Sequence, residues 1–253
     1  MSRGWKKFIY GVFFLAVFGL IVWGFYEIVL KPTPTCFDQI KNQGEEDVDC
    51  GGPCLSCAIF HLKPLQASRP QFFALAGGQL AILAEIFNPN PGYTAADFSY
   101  QINLYGRPHR LLKTINGSSF IYDLTRKYIF GADSNLGKDV IEADVSLGKP
   151  TWKSTKEVTK PNLKVSSWTT EITPSGIQVS GRVFNGSILA ASDLKILAFL
   201  KDKFGRFLFV AQTYVPRIES LQEGSFTVVF PRDNFLEQNT DSSKTDVFVN
   251  GKL

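Results

Sequence analysis

The stretch Phe8 to Leu30, FIYGVFFLAVFGLIVWGFYEIVL, most limits what this chain can become. Its first nineteen residues, Phe8 to Tyr26, carry no charge. At about 1.5 Å rise per residue the stretch reaches about 34 Å as a helix, enough for a hydrocarbon core about 30 Å thick. Arg3, Lys6 and Lys7 precede it, and Glu27 and Lys31 close it. Basic residues are held on the cytoplasmic side. The pattern therefore predicts a cytoplasmic tail at 1–7, a transmembrane helix at 8–30, and the rest of the chain outside the plasma membrane. Trp5 and Tyr10 at one end, and Trp23 and Tyr26 at the other, fit interfacial aromatic belts. A cleaved signal would have a shorter apolar region ending in a small-x-small site, and Glu27 to Pro32 offers none.

All four cysteines, Cys36, Cys50, Cys54 and Cys57, fall within one short polar segment after a Lys31-Pro-Thr-Pro-Thr35 stalk. A segment of this size cannot bury a core of its own, so cross-links or a metal must hold it. Outside a membrane, two disulfides are expected, with three pairings open. A zinc site prefers two close cysteine pairs; Cys54-x-x-Cys57 is one, but Cys36 and Cys50 are too far apart in sequence to be the other. A redox CxxC normally opens a helix in a βαβ unit, whereas Ala58 to Leu62 reads as the approach to a strand. Asp38, Glu45, Asp47 and Asp49 in the same segment form a weak alternative calcium cluster, although their spacing matches no EF-hand loop.

Beyond residue 58 the apolar period becomes two. Phe98, Tyr100, Ile102 and Leu104 alternate with polar residues, as do Ile177, Val179, Gly181 and Val183, and then Phe226, Val228 and Phe230. Such runs are half-buried strands. Turn signals recur at Asn88-Pro-Asn-Pro-Gly92, Asn116-Gly117, Asn185-Gly186, Gly205 and Gly224. No stretch after the anchor reads as an amphipathic helix. Glu85-Ile-Phe-Asn88 matches Arg182-Val-Phe-Asn185, and Leu104-Tyr-Gly106 falls on Leu200-Lys-Asp202. Arg126 to Phe130 overlies Phe226 to Phe230. The reading is two tandem β-sandwiches, 58–148 and 162–253, behind a stalk and cysteine segment at 31–57 and joined by a basic linker at 149–161.

The cysteine segment resembles a motif of secreted and surface proteins of microbes, C-x-D/N-x-I/V-x-N-x-G-E-x-D-V-D-C-G-G-x-C-x-x-C. Cys36, Asp38, Ile40, Asn42, Gly44, Glu45, Asp47 to Gly52, Cys54 and Cys57 fit it. The two repeats resemble the FxLYD type of small immunoglobulin-like β-sandwich. The second copy carries Gly181, Val183, Asn185, Ser187 and then Leu200-Lys-Asp-Lys-Phe-Gly205. The first copy carries Ile86, Asn88 and Leu104-Tyr105; Glu85 and Pro89 depart from the pattern and Gly106 replaces the Asp. The resemblance implies an all-β chain with one transmembrane helix, a disulfide-rich segment and two tandem immunoglobulin-like domains. It implies binding or structural modules of the cell envelope, and no catalytic residues carry over.

No GxSxG, HExxH or P-loop occurs, and the two histidines, His61 and His109, lie in unrelated contexts. Net charge is +4, too mild to imply a nucleic-acid partner. Asn116 and Asn185 begin Asn-Gly-Ser sequons, glycosylation acceptors in form and otherwise turns. The expectation is a non-enzymatic membrane protein without a cofactor, whose partners are the membrane and an unnamed protein or other envelope component. The alternative is an envelope redox or metal-handling factor using the four cysteines.

Overall fold

A computed structural model describes residues 3–30, 33 and 35–253. Met1 and Ser2 of the expected tail, and Lys31, Pro32 and Pro34 of the expected stalk, lie outside the described residues. The chain divides into two compact units, Met1–Leu62 and Lys63–Leu253.

In the first unit, α1 (Arg3–Phe25) starts earlier than the uncharged run, because Arg3, Lys6 and Lys7 are good helix formers and add the first turn. It continues into a wider turn at Tyr26–Leu30. None of the α1 side chains is buried, and the helix is long and apolar enough to cross a membrane. An all-round apolar helix that buries none of its side chains leaves hydrophobic surface that water disfavours. Within the approach to a strand expected over Ala58 to Leu62, Cys57–His61 forms a short 3-10 helix, and the strand Gln66–Ala67 follows it. Ser56 supplies the reason, since its hydroxyl accepts from the Ala58 N–H and caps the turn.

The second unit is nearly all β. Its strands are β1 (Gln66–Ala67), β2 (Gln71–Ala74), β3 (Leu80–Phe87), β4 (Tyr93–Gly106), β5 (Arg110–Ile121), β6 (Arg126–Asp133) and β7 (Glu142–Leu147). They continue with β8 (Thr151–Ser154), β9 (Leu163–Thr173), β10 (Gly176–Asn185), β11 (Ala191–Lys201), β12 (Phe207–Ile218), β13 (Glu223–Val229) and β14 (Asp246–Lys252). All sheet pairings are antiparallel. β3 pairs with β1, β2 and β6; β4 pairs with β5, β7 and β8. β10 pairs with β9 and β13; β11 pairs with β12 and β14.

Two hydrophobic cores follow from these sheets. The alternating residues expected to face inward do so: Phe98, Tyr100, Ile102 and Leu104 of β4 meet Leu80, Ile82, Ala84 and Ile86 of β3. Ile177, Val179 and Val183 of β10, with Phe226 and Val228 of β13, meet β11. β3 and β11 are buried on both faces, because Ala81 and Leu83 of β3 join the second core with β11 and β12. Tyr128 of β6 touches Phe199 and Phe248 edge-on, with ring centroids 5.4 and 5.2 Å apart. The run Ile196–Leu200 is continuous apolar sequence for this reason.

Three local readings change. Thr151–Ser154, read as part of a basic linker, forms β8 on β4, since Trp152 packs on the first core. Asn116-Gly117, read as a turn, lies in mid-strand β5 opposite Gln101 and Tyr100. There a Cβ on Gly117 would meet the Tyr100 ring at 2.4 Å, so glycine makes room for the ring rather than a bend. The sequence overlay sets Arg126 to Phe130 on Phe226 to Phe230; in the ladders Phe87 pairs with Arg126 and Phe184 with Glu223, so Arg126 corresponds to Glu223. The chain also holds a one-and-a-half-turn helix, α2 (Asn234–Asn239), that the sequence pattern does not announce. Asp233 caps it by accepting from the Phe235 and Leu236 N–H groups, and Leu236 is fully buried.

Gly181 sits in β10 beside the irregularity between Arg182 and Val183. A Cβ there would fall 2.3 Å from the Ser167 carbonyl oxygen and 2.7 Å from the Phe226 ring. Since one contact is to backbone, Gly181→Ala is expected to destabilise the chain by about 1–3 kcal/mol in denaturant unfolding.

Candidate functional site

The cysteine loop is closed by two disulfides, Cys36–Cys54 and Cys50–Cys57, with Cα atoms 5.5 and 4.9 Å apart. Among the described residues no cysteine is free. The CxxC pair Cys54 and Cys57 are thus each joined to a different partner. The bonds straddle a loop in which Asp38, Glu45, Asp47 and Asp49 accept hydrogen bonds from the loop's own backbone. Asp38 accepts from the Thr35 and Ile40 N–H groups and from the Asn42 amide. The Asn42 bond is the main reason its carboxyl is held below the ordinary carboxylate range. Asp49 accepts from the Gln39 N–H through both oxygens, and Asp47 from the Val48 N–H.

Glu45 is buried, and its Oε2 accepts from the Asn42 and Asp49 N–H groups. Its Oε1 lies 3.0 Å from Cys54 Sγ, a sulfur with no proton to donate once bonded to Cys36. Cys36, Glu45 and Cys54 are the one set of ligand-type groups that converge among the described residues. Two of the three are spent on each other. Asp38, Asp47 and Asp49 do not join that set. Opening Cys36–Cys54 with serine at both positions is expected to cost the loop about 3 kcal/mol. Amide exchange across residues 36–57 would rise to near unprotected rates in the double variant.

The histidines are apart. His61 ends the 3-10 helix and is exposed. His109 lies in the β4–β5 turn, stacked on Tyr105 at 4.6 Å, with Nδ1 3.2 Å from Glu142 Oε2. Of the sequons, Asn116 is exposed on β5. Asn185 is fully buried, and its amide nitrogen is already committed to the Leu189, Ile218 and Glu219 carbonyls.

Asn185 has a counterpart. Its Oδ1 accepts from the Ser187 N–H, two residues on. Asn88, just past the end of β3, donates to the Tyr93 and Tyr122 carbonyls and accepts from the Asn90 N–H, also two residues on. Both asparagines are fully buried. Each therefore fastens the turn after its own strand to the chain leaving the following hairpin. Nearby, Glu85 pairs with Arg126 across β3 and β6, while Arg182 pairs with Glu223 across β10 and β13, the signs exchanged. Asp202, buried after β11, accepts from the Phe204 and Arg206 N–H groups and from the Arg206 guanidinium.

One buried group escaped sequence reading. Lys127 of β6 is 3% exposed, with Nζ 3.3 Å from the Phe120 ring centroid. Burial, aided by Lys195 and Lys252, pulls its ammonium down to about 6. The available signal was its place two residues before buried Ile129, which puts a lysine on the inward phase of the strand. On the surface, β5, β9 and β12 each hydrogen-bond to one neighbour within their sheets, leaving long strands at sheet margins. Leu111 of β5, Trp168 and Ile172 of β9, and Tyr214 of β12 are exposed on them.

No protein-family model matches the chain, and no curated protein matches it in sequence.

Proposed function

We propose that this is a non-enzymatic, single-pass plasma-membrane protein of a microbial envelope. It holds two immunoglobulin-like β-sandwich modules outside the cell and binds an envelope partner through strand margins or loop ends. The observation that carries this reading is the junction at residues 26–57. An apolar helix with no buried side chain runs within a few residues into a loop whose cysteines are all disulfide-bonded. Disulfides persist in oxidising compartments, which favours a cytoplasmic N-terminus and an external body.

Two modules of one type are supported by the pairings: β10–β9, β10–β13, β11–β12 and β11–β14 repeat β3–β2, β3–β6, β4–β5 and β4–β7 in order. The matched asparagines, Asn88 and Asn185, support it as well. A binding role rests on the long marginal strands, since an open strand edge offers backbone groups to an added strand. A redox role would use Cys54 and Cys57 as one dithiol, and here they are bonded to Cys36 and Cys50.

The reading is tested on intact cells carrying a C-terminal tag. External protease should remove the tag without lysis, and a thiol-reactive polyethylene glycol should label the chain only after reduction. A tag protected until lysis, or cysteines that label without reductant, would place the body inside and end the proposal.

A further inference from the structure

The cysteine loop carries its large apolar side chains on the outside. Phe37 is 84% exposed, Ile40 62%, Leu55 59% and Phe60 66%; Val48 is exposed as well, and Ile59 is half-buried. A segment too small for a core leaves some apolar surface in water, and apolar residues exposed singly carry no message. These are not single. The Cys36–Cys54 bridge holds its two Cα atoms 5.5 Å apart, and each half-cystine is followed at once by an exposed apolar residue, Phe37 and Leu55. The bridge therefore joins an aromatic and a branched aliphatic side chain at one end of the loop.

That end is also the one tied to the apolar helix. The helical run closes at Leu30, and only Lys31 to Thr35 separate it from Cys36. Fully extended, that connection spans at most about 22 Å. The headgroup layer outside the hydrocarbon is itself about 5–8 Å thick on each side. A surface tethered this closely meets the bilayer at a high effective concentration, so a modest apolar contact suffices to hold it there. The charge of the loop selects the kind of surface. Asp38, Glu45, Glu46, Asp47 and Asp49 stand against Lys41 alone, which suits a zwitterionic headgroup layer and opposes an anionic one.

We propose that the disulfide loop is a second membrane contact, seated on the zwitterionic headgroup layer of the bilayer that α1 spans. Phe37 and Leu55 enter the interface together, and the Cys36–Cys54 bridge fixes them as one wedge. The inference rests on the reading of α1 as a membrane anchor. It adds a lipid surface as the partner of the loop itself.

The test uses the full chain in phosphatidylcholine nanodiscs. The photocrosslinker p-benzoylphenylalanine is placed singly at Phe14, Phe37, Leu55 or Phe204, and lipid adducts are read by intact mass after irradiation. Phe14, inside α1, reports the anchor, and Phe204, exposed in the second unit, sets the level of chance collision. Adduct yields at Phe37 and Leu55 are expected to exceed that at Phe204 several-fold, and to fall in phosphatidylglycerol discs at low ionic strength. Phe37→Asp should lower the Leu55 yield several-fold while intact mass shows both disulfides still closed, a result that a merely exposed loop would not give. Yields at Phe37 and Leu55 no higher than at Phe204, with Phe14 still labelled, would overturn the proposal and leave the anchor standing. So would a Leu55 yield untouched by Phe37→Asp, or yields that rise in the anionic discs. No adduct at Phe14 would remove the anchor and this surface with it.

Discussion

Asn185→Leu is expected to destabilise the β body by about 3–5 kcal/mol. The Asn185 amide, itself fully buried, donates to three carbonyls: Leu189 in its own turn, and Ile218 and Glu219 at and just past the end of β12. A leucine of similar volume fills the space but takes the amide donor from those carbonyls and the acceptor from the Ser187 N–H. Each unmet buried group costs about 1–3 kcal/mol. Asn185→Asp should be at least as damaging, because it keeps the shape while setting a charged acceptor against carbonyl oxygens. Asn88→Leu should act in the same direction and by less, since the Tyr93 and Tyr122 carbonyls lose the Asn88 amide while the Tyr122 carbonyl keeps the Thr125 hydroxyl. Against a whole-domain stability of about 5–15 kcal/mol, either change is a large share. Asn116→Ala, on the exposed side of β5, should stay within about 0.5 kcal/mol of the parent. Denaturant unfolding of the full chain in detergent would measure all four. A cost for Asn185→Leu no greater than that for Asn116→Ala would show that the turn is held by other contacts.

These asparagines also mark the boundary of what could be read from sequence. Asn88 and Asn185 stood out as matched positions because both end an apolar strand before a turn. That they are buried hubs depends on carbonyls more than thirty positions away, Tyr122 and Ile218, which no local pattern brings near. The strands themselves were legible wherever one face meets solvent. Phe98, Tyr100, Ile102 and Leu104 alternate because Ser99, Gln101 and Asn103 face outward, toward water or its margin. β3 and β11 show no such alternation, since packing between the sheets hides both of their faces and removes the polar phase that would reveal a strand. Cysteine oxidation follows from compartment and crowding, but the choice of Cys36–Cys54 with Cys50–Cys57 is set by a loop path that backbone bonds to Asp38, Glu45 and Asp49 define. α2 was hidden by its length: six residues cannot display a helical period, and a single cap and one buried leucine specify it.

Lys127→Met is expected to act in the opposite direction and to do so as a function of pH. The Lys127 ammonium sits against Phe120 at 3.3 Å, and among the described residues no carboxylate is paired with it. Burial first, and Lys195 and Lys252 after it, pull its pKa from 10.5 to about 6 in the folded chain. Between those values the unfolded chain holds a proton that the folded chain has given up, so stability rises with pH across that window. The penalty carried by Lys127 is therefore complete at about pH 6 and below, and it fades as pH approaches 10.5. Methionine keeps the unbranched stem and gives up the charge. Some attraction to the Phe120 ring is lost with it, about 0.5–2 kcal/mol for a desolvated cation–π contact. The cost of holding the ammonium away from water outweighs that attraction. The net gain is about 2–5 kcal/mol near pH 6, shrinking toward zero near pH 10. Paired denaturant titrations of parent and variant at both ends of this range would show the convergence. A gain independent of pH would mean that the ammonium reaches water and that packing alone separates the two chains. A loss at pH 6 would mean that the ring holds the charged form more strongly than burial opposes it.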